Sequence, residues 1–390
     1  MRITEIREHT IPISRYADPA LPPGGLTTSL VEIVTDVVID GSPVIGRGYA
    51  SVGRYAQGGL LRERFIPRLL RADPPDLRGY EDDDLDPFCA WEVMMTGEKP
   101  GGHGERCVAV GVLDMALWDV AAKIARQPLH ALLAKKLNRG PLLPERIKVY
   151  AGGGYPYPDD DTGQLADEMR RIVDLGFTHA KMKIGNPDIA VDLKRIEAAA
   201  KALGTPARLA VDAMNVYRRA DARVAATALA PMDLWWFEDV CNPHDFVVQS
   251  AVASLYPGPL WAGEPLFSEE EALLLDAHGG LRRDRDVLLF DPVHCYGVSG
   301  YVDIVHALSR RGEGWPRSSF WPHGGHLFSL HLVAVLGLGG AEVTPFAFHP
   351  FSTLAKSLPI EDGFVRLPQS PGIGFELNDD IMRAFKTAFA

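Results

Sequence analysis

Residues 178–185, THAKMKIG, form a short apolar run interrupted by two like charges, Lys181 and Lys183. Read as a strand, the run alternates, with both ammonium groups on one face and Ala180, Met182 and Ile184 on the other. A strand with one wet face carries such a pair at no cost. A strand buried on both faces does not, because adjacent ammonium groups out of water are unfavourable unless something compensates them. Which case applies depends on the elements around this strand.

On either side the same texture repeats. RIKVYAGG (146–153), RLAVDAMN (208–215), LWWFEDV (234–240), LWAGEPLF (260–267), DVLLFDPVHC (286–295) and SSFWPHGG (318–325) read as strands, with a weaker one at PFAFHP (345–350). Helical segments such as IAVDLKRIEAAAKAL (189–203) and ADARVAATALA (220–230) lie between them, and this alternation predicts a parallel sheet with crossover helices. Each strand is apolar until its carboxyl end, where Lys183, Asp212, Glu238, Glu264, Asp291 and His323 appear at intervals of 29, 26, 26, 27 and 32 residues. One βα unit has that length. A regular series of ionisable groups at strand carboxyl ends predicts a (β/α) barrel, whose site lies on that face. An open sheet would gather them at one switch point.

Upstream, TTSLVEIVTDVVIDG (27–41) reads as a strand ending in a turn. VGVLDMALWDVAAKIA (110–125) reads as a helix ended by Gln127-Pro128, and PLHALLAKKL (128–137) as another. The chain of 390 residues is long enough for two domains or one large barrel with additions. A net charge of −11 argues against nucleic acid or an anionic membrane as partner. The four cysteines show no metal or redox spacing and read as reduced buried thiols. MRITEIREHTIPI (1–13) lacks the apolar run of a signal peptide and no later segment reaches transmembrane length, so a soluble, cytoplasmic protein is expected.

In a barrel, Asp212, Glu238 and Glu264 lie on three consecutive strands at one height. Three converging carboxylates repel unless a cation sits among them, and hard oxygen donors with open positions suit Mg²⁺. Any one of these acids alone reads as a helix cap or loop charge; three in register do not. Lys181 and Lys183 then point at that cluster. Burial and mutual repulsion are expected to depress their pKa values, making Lys183 the base and Lys181, one layer deeper, its partner on a substrate carboxylate. Opposite them, His323 is an acid oriented by Asp291. Base, metal and acid in that order describe proton abstraction next to a carboxylate.

LDMALWDVAAKIARQPLHALLA (113–134), KMKIG, VDAMN, FEDV, GEPLF, FDPVHCYG, PHGGH and PGIGFELN (371–378) together resemble the mandelate racemase/muconate lactonizing enzyme branch of the enolase superfamily. Within it, GRYAQGGLLRERF (53–65), GEKPGGHGER (97–106) and WPHGGH (321–326) are most similar to the D-tartrate dehydratases. The resemblance implies an α/β fold, a modified TIM barrel (β/α)7β over 146–350, with an α+β capping domain over 1–140 completed by 355–390. It also implies a Mg²⁺-dependent elimination of water from a hydroxylated acid to give a 2-keto acid, D-tartrate to oxaloacetate being the leading substrate. Metal ligands would be Asp212, Glu238 and Glu264, and catalytic groups Lys183, Lys181, His323 and Asp291. Lys99 matches a lysine placed to contact a second substrate carboxylate, and loops around Gly24 to Thr28 and Gly53 to Gly58 would cover the pocket. A homo-oligomer is expected, as for many barrels of this kind.

Three positions depart from the family pattern. Met214 stands where an Asn is usual, moving the polar substrate contact to Asn215; His294 stands where an apolar residue is usual, a candidate substrate contact that would change pocket polarity; Trp321 is bulky beside His323. His326 and His331 read as structural or surface residues of the following helix, and His103 as a substrate contact or a loop hydrogen bond. Two other readings stay open: a racemase or epimerase on the same scaffold, and a non-catalytic acid-sugar binding protein.

Overall fold

The computed structural model describes residues 1–14, 25–50, 56–79, 85–138, 140, 144–310, 312–351 and 354–390. Gly24 and residues 53–55, on which part of the expected covering loops falls, lie outside the described residues.

The chain opens with an antiparallel sheet of β1 (Ile3–Pro12), β2 (Thr27–Ile39) and β3 (Ser42–Tyr49) in the order β1-β2-β3. This sheet lies on the helix Glu105–Ile124, whose residues Cys107 to Ala122 are all buried. A helix apolar on every side must be covered on every side. Two glycines of β3 allow the closest approach: a Cβ at Gly46 would overlap Ala116 O, and one at Gly48 would overlap Val112 O. On the helix's other side a Cβ at Gly111 would overlap Val293 O, so this helix also presses on the segment that follows the sixth parallel strand. Its Asp114 reaches the same region and accepts from Val298 N at 2.7 Å, at the start of the helix Val298–Arg310.

The Gly111→Ala variant is therefore expected to lose about 1–3 kcal/mol of stability, the usual cost of overpacking a filled interior. Urea unfolding measures it, and an unchanged midpoint would mean that the helix can withdraw from Val293.

The second sheet carries the predicted alternation. β4 (Arg146–Gly152), β5 (Ala180–Lys183), β6 (Leu209–Asp212), β7 (Trp236–Glu238), β8 (Leu260–Ala262) and β9 (Val287–Leu288) pair in sequence order, each parallel to the last. β10 (Ala341–Val343) pairs parallel with β4 on its other side, so the eighth strand is AEV and not the expected PFAFHP. The reason is local: Pro345 has no N–H to give to a ladder, whereas Ala341 to Val343 match Val149 to Ala151 residue for residue. SSFWPHGG forms no extended strand, but Trp321 N donates to Leu288 O (2.9 Å) and Glu342 N to Pro322 O (3.2 Å), linking β9 to β10. β11 (Ile360–Glu361) and β12 (Phe364–Arg366) add an antiparallel ribbon on β4.

The crossover helices begin on side-chain caps that the sequence supplies. Asp188, Asp245 and Ser268 accept from Ala190 N, Val248 N and Glu271 N respectively. Side chains of the parallel strands, joined by Leu289 just beyond β9 and by Trp321, form a separate layer in which Tyr150, Trp236, Trp261 and Trp321 pack with Ala210 and Leu289. Trp236 and Trp261 stack with centroids 3.5 Å apart. Among the described residues no helix is long and apolar enough to cross a membrane.

Candidate active site

Strand register sets the site. Lys183 pairs with Asp212 and Asp212 with Glu238, so base candidate and two acids lie side by side at the carboxyl ends of β5, β6 and β7. Glu264 follows two residues after β8. One oxygen from each of Asp212, Glu238 and Glu264 lies within 4.8 Å of the others, and all three residues are buried. The aromatic layer forms the floor: Trp236 Nε1 donates to Glu238 Oε2 at 2.8 Å, and Lys181 Nζ stands 5.7 Å above the Tyr150 ring. Trp321, whose direction the sequence left open, belongs to this floor and donates to Ser318 O.

Both lysines are buried and answer the opening question: the carboxylates compensate them. Lys181 Nζ lies 2.6 Å from Glu238 Oε1, 3.2 Å from Glu342 Oε1 and 3.8 Å from Asp212 Oδ2, and Lys183 Nζ bonds Asp212 Oδ2. The expected depression of their pKa values is not what the structure gives. Burial does oppose the charge on each, but Glu238 and Glu342 carry Lys181 well above the ordinary lysine value, and Asp212 raises Lys183. The acids outnumber the lysines, so attraction outweighs repulsion and desolvation. Burial disfavours the Asp212 carboxylate too, yet Lys183 and Lys181 hold it below its usual range. Glu238 carries the remaining burden, since burial and the neighbouring Asp212 push it well above the carboxylate range.

Across the cluster stands His323. Its Nδ1 lies 3.1 Å from Asp291 Oδ2, while Nε2 faces Glu264 Oε2 at 3.3 Å and Glu342 Oε2 at 3.6 Å. Lys183 and His323 line one small cavity with Glu342, Tyr155 and Phe348. Phe348 N donates to Ser14 O, which ties this edge of the site to the end of the N-terminal sheet.

Glu342 is the acid that sequence reading missed. It touches Lys181 with one oxygen and approaches His323 with the other, bridging the two sides of the site. A lone acid in an otherwise apolar AEV after two glycines was the available signal. The three candidate substrate contacts, Asn215, Lys99 and His294, lie in different surroundings. Asn215 Nδ2 lies 3.2 Å from Asp239 Oδ2, and Met214 N donates to Asp212 Oδ1 at 2.6 Å, both residues having positive φ. Lys99 lines a separate cavity of about 860 Å³ with Arg106, Phe267 and Tyr296, and none of the three clustered carboxylates, Lys183 or His323 lines it. His103 faces that cavity too, with Nδ1 2.9 Å from Tyr296 Oη. His294 is fully buried, its ring centroid 5.9 Å from that of His323. His326 and His331 are buried, not on the surface; burial lowers both to about 3, and His331 meets His130 and Ile373 O.

Known proteins share this arrangement of elements. The chain is 25% identical over 310 residues to the arabinonate dehydratase of Saccharolobus solfataricus, covering 78% of this chain and 79% of that protein. It is 29% identical over 354 residues to the 3,6-anhydro-alpha-L-galactonate cycloisomerase of Streptomyces coelicolor, covering 89% of each. A solved racemase from Streptomyces coelicolor A3(2), with bound magnesium, superposes with a TM-score of 0.75 over 99% of both chains at 23% identity. Residues 164–381 match the family described as Enolase C-terminal domain-like. That span is more than half the sequence and holds every strand-end group from Lys183 to Glu342, so the chain belongs to the Enolase C-terminal domain-like family.

Proposed function

We propose that this protein is a Mg²⁺-dependent dehydratase of hydroxylated carboxylic acids, with D-tartrate to oxaloacetate as the leading reaction. The observation that carries the reading is the opposition of Lys183, at Asp212, and His323, at Glu264, across a cluster of three buried carboxylates. The donor set fits the ion: three hard oxygen donors gathered in one buried place, with like charges that need a cation. Asp212, Glu238 and Glu264 would hold Mg²⁺, which supplies Lewis-acid stabilisation of the substrate carboxylate as charge develops on it.

The chain's own groups do the rest. Asp212 is the main charge that keeps Lys183 protonated; a cation held by Asp212 would offset that charge and leave burial and Lys181, which both oppose the ammonium form, to favour neutral Lys183. Neutral Lys183 then takes the α-proton at Nζ. Lys181, pinned by Glu238 and Glu342, keeps its proton and binds a carboxylate oxygen of the substrate. His323 Nε2 gives its proton to the departing hydroxyl while Asp291 holds Nδ1–H. The C–H and C–O bonds break, water leaves, and the enol tautomerises to the 2-keto acid. Trp236 orients Glu238, and Tyr155 and Phe348 narrow the approach to the site.

The proposed architecture is a closed (β/α)7β barrel over 146–350, supported by the backbone bonds from Trp321 to Leu288 and from Glu342 to Pro322. We further assign 1–140 and 355–390 to one capping unit, supported by Lys123 Nζ at 2.6 Å from Glu376 Oε1 and Ile373 N donating to Asp119 Oδ1.

A screen of acid sugars and hydroxy diacids with Mg²⁺, detecting keto acids as semicarbazones, is expected to return oxaloacetate from D-tartrate and nothing after chelation. Turnover of another acid sugar would keep the chemistry and replace the substrate. Deuterium exchange at the α-carbon with no keto acid formed would favour the racemase reading, which the same opposed base and acid can serve.

A further inference from the structure

Lys183 stands where its strand ends, and the ladder no longer holds it on both sides. β4 pairs with β5 only at Ala151↔Ala180 and Gly152↔Lys181, short of Lys183. Toward β6, Lys183 is still in register with Asp212, and Ile184 N donates to Asp212 O at 2.8 Å. A lysine reaches its target on a flexible four-carbon stem, so the aim of Nζ begins with the placement of its backbone.

The helix that follows, Ile189–Leu203, supplies what the ladder lacks. Asp192 and Arg195 lie one turn apart on it and are 1% and 3% exposed. Asp192 Oδ2 accepts from Gly185 N and Asn186 N, both at 2.8 Å, and so grips the backbone just beyond Lys183. Arg195 takes the peptide of Lys183 itself. Its Nη1 donates to Lys183 O, its Nη2 to Gly154 O at 3.1 Å and its Nε to Asp161 Oδ2. Gly154 O also accepts from Lys183 N at 3.1 Å, so the guanidinium closes the gap between β4 and β5 beyond their last ladder pair. A planar fork can reach two carbonyls and a carboxylate at once, whereas an ammonium group is a single point.

We propose that Arg195 is a positioning residue for proton transfer, holding the peptide of Lys183 so that Nζ meets the substrate α-carbon. The proposal rests on Lys183 being the base. Arg195 bonds Lys183 O, Gly154 O and Asp161, with Asp192 Oδ1 at 3.7 Å, and none of the three clustered carboxylates is among these partners. It therefore acts on the aim of the base and not on the metal.

Arg195→Met, Arg195→Lys and Asp161→Ala are compared with the wild type and with Lys183→Ala, using the acid turned over in the screen above. For Arg195→Met, kcat for α-proton exchange in D₂O is expected to fall ~10–100-fold, the scale on which small misplacements of a reacting group act. Arg195→Lys should lose less and Asp161→Ala least, with KM and Mg²⁺ affinity near those of the wild type in all three. Rates are taken per folded molecule, and if Arg195→Met does not fold the two milder variants carry the test. In the Lys183→Ala background a change at Arg195 should cost nothing further, because the group it aims is gone. Backbone hydrogen exchange by mass spectrometry needs no substrate: residues 183–186 should lose protection in the Arg195 variants while 236–238 keep it. Wild-type kcat in folded Arg195→Lys and Asp161→Ala, a rise in KM in place of the fall in kcat, losses that add to that of Lys183→Ala, or unchanged protection of 183–186 would each overturn the proposal. Undiminished exchange in Lys183→Ala alone would overturn the base reading and this proposal with it, a result distinct from all the others.

Discussion

Replacing Lys183 by alanine is expected to slow exchange of the substrate α-proton with solvent deuterium by about 10²–10⁴-fold, the range that a positioned proton-transfer group supplies. Mg²⁺ affinity should stay near that of the wild type or rise, since the variant removes an ammonium group bonded to Asp212, one of the three clustered acids. Calorimetric Mg²⁺ titration beside NMR exchange separates the two effects. Exchange at the wild-type rate in a folded, metal-binding variant would remove Lys183 as the base. A joint collapse of exchange and metal binding would mean that Lys183 organises the acids instead of acting on substrate. The same contact predicts a proton-linked response: Lys183 is held protonated by Asp212 after burial has opposed it, so neutralising Asp212 should bring the basic form into reach at lower pH.

His323→Asn should divide the reaction at a different place. His323 Nε2 faces the cluster from the side opposite Lys183, and Nδ1 is fixed by Asp291. Keto-acid formation should therefore fall by about 10²–10⁴-fold while α-proton exchange, which Lys183 performs, continues. NMR of the substrate pool in D₂O would show label entering at the α-carbon without loss of substrate. If exchange and elimination fall by the same factor, proton removal and departure of hydroxide share one step, and His323 cannot be assigned to the second alone.

Much of this arrangement is legible in the chain itself. Lys183, Asp212, Glu238, Glu264, Asp291 and His323 could be placed because a parallel βα unit returns the chain to the same face at a near-constant interval. One ionisable group at the end of an apolar strand could be a helix cap or loop charge, but several in register on one buried face are too costly to be incidental. Glu342 escaped because only 19 residues separate it from His323, and because its strand is three residues long between glycines and Pro345. The lysine pKa values were misjudged for a different reason. Sequence shows that two lysines are adjacent, but the sign of their shift depends on how many carboxylates converge, and Glu342 was not among those counted. Lys99 and Asn215 came from family likeness, and the structure puts one in a separate cavity and the other beside Asp239. Register is written locally, whereas the aim of loop side chains is decided by packing from distant segments.

The meeting of Gly111 with Val293 has a bearing on how such a protein changes over generations. The carbonyl that leaves no room for a side chain on the N-terminal helix lies two residues from Asp291 and one from His294. Drift in either partner is thus felt at once by the other. A helix borrowed from a cousin would arrive with the wrong contour, and the loop would be inherited well only together with the helix that shaped it. Residues remote in sequence here form a single heritable unit, and recombination between relatives is best tolerated where both sides of that contact travel together.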